Sequence, residues 1–256
     1  MSVEVAGAQD RLAPRMVASK VERYFHSFAA VTALLIMFVG FMPFYLKGEG
    51  MAGRQIAPEL LPLVVLHGAL MTSWVALFFA QALLISTRNR RLHMKLGWGG
   101  AAVALGVTVT GFMVAVQSVR PVPDIPFWGM AYRQFMLVML AEVALFTAFV
   151  AAGVSFRKRP KTHRAMMLLA TLSILAGATV RMPILFPIFG EAGWVGIFGP
   201  IFTLGGAFLL LRLLLTTSFD RWFAGGYAVM VCVYVAASTF AMSGWWSQLA
   251  KAVFNT

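Results

Sequence analysis

Few residues of this chain can do chemistry, and two of them recur in the same setting. His93 lies in Arg90–Gly97, RRLHMKLG, and His163 lies in Pro160–Met167, PKTHRAMM. Each follows a basic cluster, precedes a Lys or Arg, and opens an apolar run. The two are 70 residues apart, the length of one helical hairpin. A duplicated two-helix unit leaves such an echo, and so do two basic turns at the same membrane face. If both histidines open helices at one depth, they can supply the two axial ligands of a b-type haem. Gly97, Gly100, Ala104, Val107 and Gly111 follow on the helical face of His93; Met167, Ala170, Ile174 and Gly177 follow on that of His163. Small side chains there leave room for a flat cofactor or for a close helix approach. The alternative for both is a solvated histidine in a basic interfacial cluster, the reading that also suits His26.

A second group sits deeper. His67, Glu142 and Arg181 fall inside apolar runs, where an ionisable side chain is a functional candidate because lipid solvates charge poorly. At 1.5 Å per helical residue, His67 and Glu142 lie roughly 10 and 15 Å below one membrane surface, with Arg181 nearer that surface. Arg133 and Gln134 open the same run as Glu142. His67, Trp74 and Gln81 recur every seven residues, so they share one helix face with about 20° of drift per step. An imidazole, an indole N–H and an amide in one stripe are expected to face the bundle interior or a partner protein. These seven residues form an expected polar pocket, suited to an anionic or quinone-like head group or to proton transfer. The structural alternative is a Glu142–Arg181 pair, with His67 hydrogen-bonded, that fixes helix packing.

The elements that would position these groups are apolar runs. Of 256 residues, 60% are hydrophobic and 12% charged, with a mean hydropathy of +0.82. Soluble domains are nearer half apolar and a quarter charged, so the excess has to face lipid. The runs long enough to cross a ~30 Å hydrocarbon core are Phe25–Leu46, Leu60–Ser86, Gly97–Val119, Tyr132–Phe156, His163–Leu185, Trp194–Leu215 and Trp222–Trp246. They are too long for barrel strands and do not alternate. The expectation is an all-α polytopic bundle of about seven transmembrane helices.

Fifteen of the 21 Lys and Arg fall at one side of that bundle: Arg11, Arg15, Lys20 and Arg23; Arg88, Arg90, Arg91 and Lys95; Arg157, Lys158, Arg159, Lys161 and Arg164; Arg212 and Arg221. The positive-inside rule places them, and the N-terminus, in the cytoplasm and the C-terminus outside. Residues 1–24 read as a cytoplasmic segment, 25–246 as one transmembrane domain and 247–256 as a short outer tail. The first span reads as retained rather than cleaved. Pro183 and Pro187 are expected to end the fifth helix, and Gly199-Pro200 to kink the sixth.

Several classes drop out. The net charge of +12 sits between apolar spans, where it orients the chain rather than binding nucleic acid. Cys232 is the single cysteine, so neither an intrachain disulfide nor a cysteine metal site can form. A retinal protein needs a lysine deep in its last helix, and Trp222–Trp246 has none. Carboxylates are too few for a carboxylate-bridged metal pair, and no glycine-rich nucleotide loop follows a strand.

The stretch from His67-Gly-Ala-Leu-Met through Arg88 to His93, with His163-Arg164 further on, resembles cytochrome b561-type proteins over about residues 60–185. The resemblance implies a b haem between His93 and His163, with the first helix rising from the cytoplasm. At the opposite end the fourth span carries Tyr132, Arg133 and Gln134 where that family has a histidine partner for His67, so only the first haem site carries over. The chain is also similar to a group of bacterial multipass membrane proteins, of no assigned activity, with a His-Gly…Trp…Gln…His pattern on these two helices. The functional expectation is a b-haem electron-transfer protein of the cell inner (cytoplasmic) membrane that exchanges electrons with a quinone. The competing class is a non-enzymatic accessory or assembly subunit of a membrane complex, or a small transporter. Broken helices in paired positions mark transporters, and only Gly199-Pro200 suggests one.

Overall fold

The computed structural model describes residues 24–51 and 54–254. The expected cytoplasmic segment 1–24, apart from Tyr24, lies outside the described residues. About four fifths of the described residues are helix. The order is α1 (Tyr24–Gly40), α2 (Met42–Lys47), α3 (Leu61–Ser86), α4 (Arg90–Gln117), α5 (Tyr132–Ser155), α6 (Pro160–Ser173), α7 (Ala176–Thr179), a 3-10 turn (Pro183–Leu185), α8 (Phe186–Phe189), α9 (Gly193–Thr216), α10 (Arg221–Ala241) and α11 (Gly244–Phe254). Two small antiparallel hairpins, Glu49–Met51 with Arg54–Gln55 and Pro126–Phe127 with Met130–Ala131, close the loops before α3 and α5.

Five helices, α3, α4, α5, α9 and α10, are long and apolar enough to cross a membrane. The segment from α6 to α8 makes a sixth if its two halves, bent by 94°, count as one span. The seven expected spans thus include two that are not long unbroken helices. The first is α1, a shorter apolar helix, although Phe41 N–H to the Met37 carbonyl and Tyr45 N–H to the Phe41 carbonyl, both 3.0 Å, carry the helical ladder into α2. Gly48 then ends α2 in the left-handed region at φ 67°, a conformation open to glycine at little cost.

The second is the expected helix His163–Leu185. Its regular part stops at Ser173, ahead of the prolines. Thr171 and Ser173 hydroxyls donate back to the carbonyls of Met167 and Ala170 at 3.1 and 2.9 Å, a competition that loosens helices. The Leu175 amide reaches only three residues back, to Leu172, at 3.2 Å. Met182, which precedes Pro183, is extended at φ −106°, ψ 94°, because a following proline disfavours the helical region. The chain turns there into α8. At the other end of the sequence, part of the expected outer tail is helical, since α11 continues to Phe254. Pro200 lies inside α9, which is assigned as one helix.

The helices α3, α4, α5 and α6 pack in sequence and α6 returns to α3, so the four enclose a common centre with α4 and α6 on a diagonal. Helix α10 lies against α5 and α6, α9 against α10 and α7, and α11 against α5. Helix α1 joins through Phe25, edge-on to Phe208 of α9 with centroids 5.9 Å apart, and through Gly40, which lies on the Ala178 backbone of α7 where a Cβ would have no room. Tight antiparallel turns put the starts of α4 and α6 at one end with the Arg88–Lys95 and Arg157–Arg164 clusters, here called the basic end.

Candidate functional site

Along α3 the polar side chains of the four-helix centre fall into a basic-end layer, a middle and a far-end layer. Gln81 is about 20 Å from His67 at 1.5 Å per residue, with Trp74 halfway between.

At the basic end His93 and His163 face each other. Their ring centroids are 6.3 Å apart and the rings are nearly perpendicular, at 86°. Asn89 caps α4 by accepting the Leu92 amide at 3.2 Å, which fixes the turn that brings His93 in. His163 Nδ1 is 2.8 Å from the Gly153 carbonyl of α5. A carbonyl only accepts, so Nδ1 carries the hydrogen and Nε2 is left with its lone pair. Gln81 donates from Nε2 to the His93 carbonyl at 3.2 Å. Its Oε1, and Nδ1 of His93, are buried without a hydrogen-bond partner. A Cβ built on Gly97 or Gly100 would meet no atom within 4 Å, so no neighbouring helix packs closely on these positions. Among the described residues no three or more His, Cys, Asp or Glu converge.

The middle is closely packed. Trp74, 5% exposed, meets Phe146 edge-on at 5.0 Å and donates its indole N–H to Thr171 of α6 at 3.2 Å. The expected inward stripe of α3 is therefore turned inward at all three positions.

At the far end His67 Nδ1 lies 2.9 Å from the Thr110 hydroxyl of α4. That hydroxyl already donates to the Gly106 carbonyl at 2.7 Å, so it can only accept from His67, whose Nε2 is again the bare nitrogen. The absence of a side chain at Gly111, 3.4 Å from His67 Cε1 measured from a Cβ position, admits the ring. Glu142 of α5 is electrostatically coupled to Arg181 and to Tyr234 of α10. No hydrogen bond or ion pair joins Glu142 to Arg181 among the described residues, so the expected direct pair is not made. The cause is local: where the chain leaves α7, the Arg181 guanidinium is taken by the Gly177 carbonyl and by the Gly50 carbonyl at 2.9 Å, and it stacks 4.6 Å above the Phe41 ring. A carboxyl group, a guanidinium and a bare imidazole nitrogen thus lie near one another on neighbouring helices. That arrangement can hold a molecule with both hydrogen-bond donors and acceptors, and it can exchange protons with it.

The other expected members lie elsewhere. Arg133 is buried and ion-paired to Asp124 at 2.6 Å, and its carbonyl accepts the Trp246 indole N–H at 3.0 Å. Gln134 accepts the Ala131 amide at 2.8 Å, tying the start of α5. Gln81 belongs with the basic-end histidines. Thr110, Thr171 and Tyr234 were not singled out in the sequence. Their only signal was a hydroxyl inside an apolar run, which is common where a hydroxyl can bond its own helix.

No protein-family model, curated protein or solved structure matches the chain.

Proposed function

We propose that the chain is a membrane electron-transfer protein holding one b-type haem between His93 and His163. In this reading it has seven spans in the cell inner (cytoplasmic) membrane, counting α1–α2 and the bent α6–α8 segment, with the N-terminus inside and the C-terminus outside. The charge asymmetry supports that orientation.

The observation that carries the proposal is the histidine pair. Their ring centroids lie 6.3 Å apart, close enough for both imidazoles to reach one group held between them. The Nδ1 hydrogen bond of His163 to a backbone carbonyl is the outer-shell partner that metal-bound histidines use to present Nε2. Two protein ligands at one point suit haem iron, whose other ligands come from the macrocycle. His93 and His163 would hold the iron, and the group would supply one-electron chemistry. The chain's own part is to fix both rings, to keep water out with the Trp74–Phe146 layer, and to offer a quinone-binding pocket at the far end. There, Glu142 and His67 Nε2 would exchange protons with the head group, and Arg181, held by the Gly177 and Gly50 carbonyls, would supply positive charge beside it.

The test is an optical spectrum of protein purified from cells with ample haem supply, repeated for His93→Ala and His163→Ala. A haem band in the wild type that is lost in each variant is expected. A wild-type preparation without haem absorption overturns the reading.

A second reading rests on the break between α6 and α8. A membrane segment bent by 94° resembles one of the broken helices that transporters carry in pairs, and it is the one bent pair among the described residues. That class, or an accessory subunit of a membrane complex, accounts for a haem-free protein, and ligand-dependent thermal stabilisation tests it.

A further inference from the structure

The start of α4 carries an open, outward-facing patch of basic and apolar side chains. A groove of about 470 Å³ is lined there by Asn89, Arg91, Leu92, Met94, Lys95 and Trp98. At 100° per residue, Arg91, Lys95 and Trp98 fall within about 60° of one another and about 170° from the His93–Gly100–Ala104 face. The groove is therefore separate from the histidine pair, with Ala104 and Val107 buried on the opposite side of the helix.

Its chemistry is two-sided. Trp98 and Met94, about 40° apart around the helix, are 72% and 62% exposed, an apolar wall at the level where a membrane span begins. Tryptophan at that level sits among lipid head groups. Above the wall stand Arg91 and Lys95, one turn apart, with no hydrogen bond or ion pair among the described residues. No acidic residue occupies the first turn of α4, and cations there stand at the positive end of the helix dipole, which opposes them. An anion is what the site lacks, and an apolar chain is what its floor accommodates.

We propose that this groove binds one anionic phospholipid, with the head-group phosphate between Arg91 and Lys95 and an acyl chain along Met94 and Trp98. Charge complementarity selects the ligand class: a zwitterionic lipid brings its own cation to the two already there, whereas an anionic lipid does not. Each cation near an anionic head group is worth roughly a fivefold preference. The proposal rests on α4 being a membrane span and is independent of any haem.

The experiment uses the full-length protein in mixed micelles, with phosphatidylglycerol or phosphatidylcholine brominated on the acyl chains. The Trp98 signal is read as the difference in fluorescence between wild type and Trp98→Phe. Quenching by the anionic lipid at a mole fraction at least tenfold lower than by phosphatidylcholine is expected, with the preference abolished in Arg91→Gln/Lys95→Gln. Arg157→Gln/Lys158→Gln, which changes the neighbouring basic turn, is expected to retain it. Equal quenching by the two lipids overturns the proposal, as does equal loss in both double variants, which would mark bulk charge. Displacement of the anionic lipid by millimolar inorganic phosphate would mark a free-anion site and overturns it too.

Discussion

Tyr234→Phe tests how the broken segment is held together. Tyr234 is fully buried; its hydroxyl donates to the Ser173 carbonyl at 2.6 Å, and its ring lies parallel to Phe198 at 4.0 Å between centroids. Ser173 is the last residue of α6, so its carbonyl stands where the helical ladder stops. Removing the hydroxyl leaves that carbonyl buried and unsatisfied, at a cost of about 1–3 kcal/mol, while the stacked ring is kept. Hydrogen bonds between membrane helices average only about 0.6 kcal/mol, because the unfolded chain in the membrane finds other partners. The break removes the intrahelical alternative, so the expected loss is about 1.5 kcal/mol. Tyr227→Phe is the matched control. Its hydroxyl also reaches a carbonyl, that of Phe202 at 2.5 Å, but Phe202 lies within α9 and its carbonyl keeps a helical donor. The expected loss there is about 0.6 kcal/mol or less. Reversible unfolding in mixed detergent micelles measures both. Equal losses, or a loss below about 0.5 kcal/mol for Tyr234→Phe, refute the claim that this tyrosine substitutes for the missing ladder.

The same assay checks two further expectations. Gly40→Ala drives a Cβ into the Ala178 main chain, which cannot move aside as a side chain would, and costs about 1–3 kcal/mol; Gly97→Ala meets nothing within 4 Å and is neutral or stabilising by about 0.5–1 kcal/mol through helix preference. Asp220 pairs with buried Arg212 and also caps α10 by accepting the Trp222 and Phe223 amides, both at 3.1 Å. Asp220→Ala removes this ion pair and the α10 cap together and is expected to cost about 1–3 kcal/mol, whereas Asp220→Asn, which keeps a capping oxygen, is expected to cost less.

What the sequence made readable follows from the range of the interactions involved. Helix α10 was expected to begin at Trp222 and begins at Arg221, because Asp220 is a local cap before an apolar run. The Pro183 turn was likewise local and was expected as a helix end. The earlier stop at Ser173 was not: the hydroxyls of Thr171 and Ser173 that loosen it are ordinary within an apolar run, and the carbonyl it frees is met by a hydroxyl 61 residues away on α10. Arg181 shows the same limit. Its depth placed it near Glu142, but its hydrogen bonds go to carbonyls of its own turn and of the loop at Gly50, and no spacing rule brings that loop to α7.

The histidine pair was readable for a different reason. His93 and His163 each follow a tight antiparallel turn, so hairpin geometry alone puts them at one end. The sequence contains no sign that α4 and α6 are diagonal, yet the diagonal makes two helix starts converge on one point. The two ends of the bundle then resolve their polar groups differently. At the far end His67 Nδ1 has Thr110 and Arg181 has two carbonyls. At the basic end His93 Nδ1 and Gln81 Oε1 are buried without partners, each at a cost of about 1–3 kcal/mol. Hydrogen-bonding capacity left unused beside the 6.3 Å histidine pair is what the proposed bound group would take up.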